Sequence, residues 1–126
     1  MKFEIDFDSG IPIYIQLKNE IKYAIATGKI PPGSQLPTVR QLAVDLKVNV
    51  NTISRVYSEL EKEGVLSTRQ GKGTFVSEKK MVKTNGRNKE RLDQLVDKLF
   101  IEAFELGFSP EELLEYIQRR FRLKTK

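Results

Sequence analysis

LPTVRQLAVDLKVNVNTISRVYSELEKEGVLSTRQGKGTFV, residues 36 to 76, reads as two short amphipathic helices followed by a glycine-tipped hairpin. Thr38 stands ahead of the first apolar stripe with Gln41 three residues on, the spacing of a capping box. Val39, Leu42, Ala43 and Leu46 then fall at i, i+3, i+4 and i+7, so one face of a short helix is apolar and has to be buried. Lys47 and Val48 make the turn, and Asn49 suits the cap of a second helix. Ile53, Val56, Tyr57 and Leu60 repeat the spacing, and Gly64 is placed to end that helix.

Away from this second stripe lie Asn51, Thr52, Ser54, Arg55 and Ser58, short polar side chains with one long cation among them. Such a face can enter a DNA major groove, because Asn bonds bidentately to adenine, Arg to guanine or phosphate, and Ser or Thr to either. The helix N-terminus adds a positive dipole end that suits phosphate oxygens, and acids begin only at Glu59. An ordinary solvated helix face is the alternative. Next come Leu66–Arg69 and Thr74–Ser77, two strand-like segments around Gln70, Gly71, Lys72 and Gly73. The glycines allow positive φ and close backbone approach, while Arg69 and Lys72 charge the tip. A nucleotide phosphate loop is disfavoured because no helix with a Lys-Ser/Thr pair follows, and a plain structural turn is the stronger alternative. Its position directly after a candidate recognition helix favours a DNA-contacting wing.

These residues resemble the GntR family of winged-helix transcriptional regulators, and within it the short YtrA-like group. The resemblance begins at Pro12, Ile13, Tyr14, Gln16 and Leu17 and continues through Gly28, Ile30, Pro32, Gly33, Leu36, Pro37, Thr38, Arg40, Leu42 and Ala43. It then runs through Val48, Asn49, Asn51, Thr52, Ile53, Arg55, Tyr57, Leu60, Glu61, Glu63 and Gly64 to Gly71, Gly73, Thr74, Phe75 and Val76. It implies a dimeric, sequence-specific DNA binder, usually a repressor. By position, Arg40 matches a DNA-touching arginine at the start of the second helix. Asn49, Asn51, Thr52 and Arg55 match recognition-helix polar positions, and Gly71 to Gly73 match the wing tip. Many members outside this group carry arginine where Val50 and Ser54 stand, so their operator half-sites do not transfer. YtrA-like chains often have proline at Val50, where contact with a thymine methyl remains open. The DNA-facing candidates are therefore Thr38, Arg40, Asn49, Val50, Asn51, Thr52, Ser54, Arg55, Arg69, Gly71, Lys72 and Gly73.

Composition agrees. The 126 residues are 39% hydrophobic and 31% charged, a globular mixture with room for one modest core and a small appendage. A net charge of +5 favours polyanions. With no cysteine and no histidine, disulfides, thiolate chemistry and the usual zinc ligand sets are excluded, and neither a metal nor a cofactor is expected. No nucleophile, base and oxyanion set assembles around the carboxylates, and Glu59, Glu61 and Glu63 read as a solvated helix surface, so the chain is not expected to be an enzyme. No long apolar run or signal-like start appears, so a cytoplasmic protein without a membrane partner is expected.

Upstream, Phe3, Ile5 and Phe7 alternate with Glu4 and Asp6 as a strand-like arm. Pro12 opens a helix whose stripe is Ile13, Leu17, Ile21, Ala24 and Ile25, ending at Gly28. Tyr14 and Tyr23 read as packing or rim residues rather than a base-stacking platform. Ile30-Pro31-Pro32-Gly33 reads as a rigid turn. Beyond the hairpin, Lys79, Lys80, Lys83, Arg87, Lys89 and Arg91 stand against Glu90 alone, with Asn85-Gly86 inside, a linker that is either a solvated tether or a phosphate-tracking arm. Leu92, Leu95, Val96, Leu99, Ala103 and Leu106 then form a seam of roughly heptad spacing, widened by Phe100 and Phe104. Gly107 stops this helix, and Ser109-Pro110-Glu111-Glu112 starts another carrying Leu113, Leu114, Ile117 and Phe121.

A two-helix hairpin has too little interior for so much apolar surface. A second copy is the economical partner, since a twofold interface buries matching stripes and spaces two recognition helices about one DNA turn apart. The expected architecture is mainly α with a small β-hairpin wing: a winged helix-turn-helix over 1–78, a basic linker over 79–91 and a two-helix dimerisation module over 92–126. Two helices offer too few walls for an effector pocket of roughly 300 to 1,000 Å³, though one at the dimer interface stays open. The expected function is repression by a homodimer on an inverted-repeat DNA operator. A protein-interaction module, with the winged helix as scaffold, is the alternative from another class, and DNA affinity with steep salt dependence separates the two.

Overall fold

Capping and periodicity place the helices where the apolar stripes demand them. The computed structural model describes residues 3–78 and 86–121. Among these residues the order is α1 (Ile13–Ala26), α2 (Val39–Leu46), α3 (Val50–Lys62), β1 (Leu66–Arg69), β2 (Gly73–Val76), α4 (Gly86–Glu105) and α5 (Pro110–Arg120). The chain divides into two compact units, Met1–Lys79 and Lys80–Lys126.

In the first unit, the fully buried side chains Leu17 and Ile21 of α1, Leu42 of α2, and Ile53, Val56 and Leu60 of α3 form the centre of one core. Leu66 and Val76, paired across the hairpin, close it from the strand side. Thr38 and Gln41 make both halves of the capping box, each bond 3.0 Å long. The α2–α3 turn depends on Lys47, which adopts a left-handed φ of 58°. That conformation lets the Val48 N–H reach back to the Ala43 carbonyl at 3.0 Å. Gly64, at φ 81°, repeats the device after α3, where the Val65 N–H donates to the Leu60 carbonyl at 2.9 Å. Burial pushes the Tyr57 hydroxyl pKa upward, and the hydroxyl donates to the Pro37 carbonyl at 2.7 Å, fastening α3 to the start of α2.

Three local expectations change. The second strand is Gly73–Val76, one residue earlier than its pattern suggests. It is also paired on both edges: Gly33 N–H donates to Val76 O at 2.9 Å, Val76 N–H to Ser34 O at 2.8 Å, and Leu36 N–H to Thr74 O at 2.8 Å. The stretch after the double proline thus serves as a short third edge that anchors the wing, which a turn motif alone does not reveal. The arm at Phe3–Phe7 forms no strand, and Phe7 already lies in a turn. Its Glu4 and Asp6 N–H groups donate to the Glu20 and Gln16 side chains of α1 instead, at 3.2 and 2.8 Å, so no ladder is needed. Phe3 is buried, Ile5 packs against the core, and Phe7 is exposed.

In the second unit α4 packs on α5, with Ala103 and Leu113 buried between them. Gly107, at φ 98°, turns the chain, and Ser109 and Glu112 complete a second capping box. The helix begins at Gly86, so Arg87, Lys89 and Arg91, expected in the linker, stand on helical turns. Lys79, Lys80 and Lys83 lie outside the described residues.

Candidate nucleic-acid interface

The N-terminal half of α3 turns a polar face outward because its other face is wholly committed to the core. Asn51, Ser54, Arg55 and Ser58 are exposed, as is Val50, whereas Thr52 is half-buried at the edge. Asn49 has a defined local task. Its Oδ1 accepts from the Asn51 N–H at 2.7 Å, so the carboxamide oxygen is engaged as the helix cap. Thr38 is occupied in a similar way by Gln41. Arg40 is exposed on α2, where it lines a shallow hollow with Pro37, Gln41, Val44 and Asp45.

Arg55 is held on two sides. Its guanidinium carbon lies 3.6 Å from the centre of the Tyr14 ring, and its Nε donates to Glu59 Oε2 at 3.2 Å. The other oxygen of Glu59 pairs with Lys18 Nζ at 3.2 Å. Lys18 also meets Glu63 Oε2 at 2.6 Å, and Lys22 meets Glu63 Oε1 at 3.0 Å. Arg55, Glu59, Lys18, Glu63 and Lys22 therefore alternate in sign as a ladder between α3 and α1. Hydrogen bonds from Arg55 and then Lys18 hold the Glu59 carboxyl below its ordinary range, and Lys18 and then Lys22 do the same for Glu63. Glu63 and then Glu59 raise the Lys18 ammonium. The acids Glu59 and Glu63, read from sequence as a solvated surface, thus neutralise α1 cations, while Glu61 is not a rung of this ladder.

The hairpin tip carries Gly71 and Gly73 at φ 79° and 125° with Lys72 exposed between them. Gln35 Nε2 donates to the Lys72 carbonyl at 2.8 Å, tying the tip to the third edge. Arg69 is exposed, with its guanidinium carbon 4.5 Å from the Phe75 ring centre. Tyr14, Lys18, Gln35, Glu59 and Phe75 were not singled out by sequence as part of this surface. The Arg55–Glu59 pair was legible as an i,i+4 contact, while the others required the packing of α1 on α3 and of residues 33–36 on β2.

The helix-turn-helix of α2 and α3, with its exposed polar α3 start, and the glycine-tipped hairpin after it lie within the residues matched by one family model. The gntR family model of bacterial regulatory proteins matches residues 13–76. The chain belongs to the GntR family. It is 42% identical over 120 residues to the uncharacterized HTH-type transcriptional regulator YhcF of Bacillus subtilis, covering 89% of this chain and 92% of that protein. It is 40% identical over 119 residues to the HTH-type transcriptional repressor YtrA of the same organism, covering 91% and 88%. Among solved structures, AraR(DBD) in complex with operator ORX1 superposes with a TM-score of 0.55 at 34% identity, covering 61% of this chain and 99% of that one. Membership makes this GntR chain a DNA-binding transcriptional regulator rather than an enzyme. No helix among its described residues is long and apolar enough to cross a membrane.

The second unit presents a different kind of surface. Leu92, Leu95, Val96, Leu99, Phe104 and Leu114 are exposed, as is Leu106, while Phe100, Ile117 and Phe121 are partly buried. Ala103 and Leu113, expected on the intersubunit face, are instead enclosed by the hairpin itself, because α5 covers that side of α4.

Proposed function

We propose that this regulator is a cytoplasmic repressor that binds an inverted-repeat operator as a homodimer and occludes a promoter. The observation that carries the proposal is the outward N-terminal face of α3, with Asn51 and Arg55 exposed while Ile53, Val56 and Leu60 are fully buried. Asn51, Thr52 and Arg55 are the base-reading group. Arg40 and Lys72 position the protein on phosphates or a groove edge, with Arg69 and the wing glycines beside them. Ser54 and Val50 flank the base-reading group, and Thr38 and Asn49 serve mainly by capping the helices that present it.

Residues 1–78 form the DNA-binding part in this proposal, 79–91 the connection and 92–126 the dimerisation module. The exposed apolar residues of α4 and α5 support self-association, because a monomer would leave this seam in water. The repressor name of the YtrA relative supports the sign of regulation. An operator pulled from a random DNA pool should be palindromic, with half-sites about one helical turn apart, roughly 34 Å. Its affinity should fall steeply with salt. A salt-insensitive interaction, or an asymmetric single half-site, would count against the proposal.

A further inference from the structure

We propose that Tyr14 is a positioning residue for DNA readout, holding the Arg55 guanidinium flat so that its two terminal amino groups face outward as a prealigned fork. This rests on the proposal that Arg55 contacts bases. Tyr14 belongs to α1, which lends no side chain to the candidate base-reading group, yet its ring centre lies 3.6 Å from the Arg55 guanidinium carbon. The ring is itself partly buried against the core, so it is a fixed platform rather than a second mobile group.

The restraint acts from two directions. Tyr14 covers one face of the guanidinium, and Glu59 Oε2 takes the Nε proton at 3.2 Å. Glu59 is in turn fixed by Lys18 through its other oxygen, so it cannot swing away without breaking a second ion pair. Among the described residues only Nε is bonded, and the half-exposed side chain leaves its Nη1 and Nη2 edge for a ligand. That edge has the donor pattern that matches guanine O6 and N7 bidentately, and guanidinium groups stack on aromatic faces without giving up their in-plane donors. A free arginine would lose rotamer freedom on binding. One already stacked and paired loses less, so preorganisation appears as tighter binding to the cognate base pair.

The experiment is a double-mutant cycle on the full chain, read by fluorescence anisotropy on the selected operator and on operators changed at the base pair to which Arg55→Ala becomes indifferent. Tyr14→Leu should weaken cognate binding by about three- to tenfold, the range for ordering one long side chain. It should shrink discrimination at that base pair and leave binding to random DNA nearly unchanged. Tyr14→Phe, which keeps the ring, should bind as wild type. In an Arg55→Ala background, Tyr14→Leu should have no further effect.

Equal losses from Tyr14→Leu with and without Arg55 would overturn the proposal, since Tyr14 would then act independently. So would full affinity and discrimination in Tyr14→Leu. If Arg55→Ala alone leaves operator affinity intact, base reading by Arg55 fails and the positioning role fails with it. A loss in Arg55→Ala without one in Tyr14→Leu removes only the positioning role. Far-UV circular dichroism and thermal melts on each variant separate misfolding from lost readout, and the Tyr14→Phe comparison holds should Tyr14→Leu melt early.

Discussion

Leu95→Asp should split the proposed dimer while leaving each protomer folded. Leu95 is 60% exposed on α4, so only the remaining two-fifths is covered within one chain. Complete burial of a leucine side chain stabilises by about 1.5–3 kcal/mol. Covering the open 60% against a partner then contributes about 0.9–1.8 kcal/mol per copy. Twofold symmetry doubles this to about 1.8–3.6 kcal/mol per dimer, or roughly 20- to 400-fold in the dissociation constant. Aspartate also brings an uncompensated carboxylate to the interface from each side, so these figures are a floor. Sedimentation across nanomolar to micromolar concentrations measures the shift, with helix content as the control. Operator affinity should fall in step, because a monomer engages one half-site. A wild-type protein that sediments as a monomer at micromolar concentration, or a Leu95→Asp variant with unaltered self-association, would refute the assignment of this seam.

Gly73→Val forces a β-branched residue into a φ of 125°, a strain of about 1–3 kcal/mol, and its Cβ would meet Gln35 Nε2 at 2.5 Å. Gln35 must then release the Lys72 carbonyl, so operator affinity should drop without loss of self-association; undiminished affinity argues against a wing contact. Thr38→Ala removes the α2 cap and should lower the unfolding free energy by about 0.5–2 kcal/mol in urea titrations, whereas an unchanged midpoint would deny the cap its stabilising role. Glu59 and Glu63 have folded pKa values below their ordinary 4.5, so their contribution is complete above the unfolded value and is lost as pH falls through the folded one. Lys18 is raised above 10.5, so its contribution persists in mild alkali and is lost only as pH rises through that raised value. The chain has no histidine, and the melting temperature should therefore be flat between about pH 6 and 9. A sharp step near pH 6.5 would contradict this.

Most helix ends were legible because they carry their own punctuation, the exception being the start of α4, which lies at Gly86 inside the stretch read as a linker. Thr38 with Gln41, Ser109 with Glu112, and Gly64 and Gly107 past helix ends are local signals, and they lie where the structure uses them. The apolar periodicity of α1, α2 and α3 gave the core for the same reason, since a helical stripe faces one way whatever it packs on. Less legible were features that depend on a partner element. In the arm at Phe3–Phe7 the Glu4 and Asp6 N–H groups bond to Glu20 and Gln16 rather than to a neighbouring strand, which alternation cannot foretell. The double-proline segment continues into an edge beside β2, and Ala103 and Leu113 are buried where α4 packs on α5. At the candidate DNA surface, residue types showed which side chains could read bases, but Tyr14, Lys18 and Glu59 entered only through the packing of α1 against α3.

The central claim is that the N-terminal face of α3 reads DNA sequence, and the direct measurement is parallel selection from a random DNA pool with wild-type protein and Arg55→Ala. Wild type should enrich an inverted repeat. The variant should enrich the same repeat with one symmetry-related base pair per half-site randomised, with cognate affinity lower by about 1–3 kcal/mol. An identical motif from both proteins, or a loss of affinity spread evenly over every sequence, would contradict it.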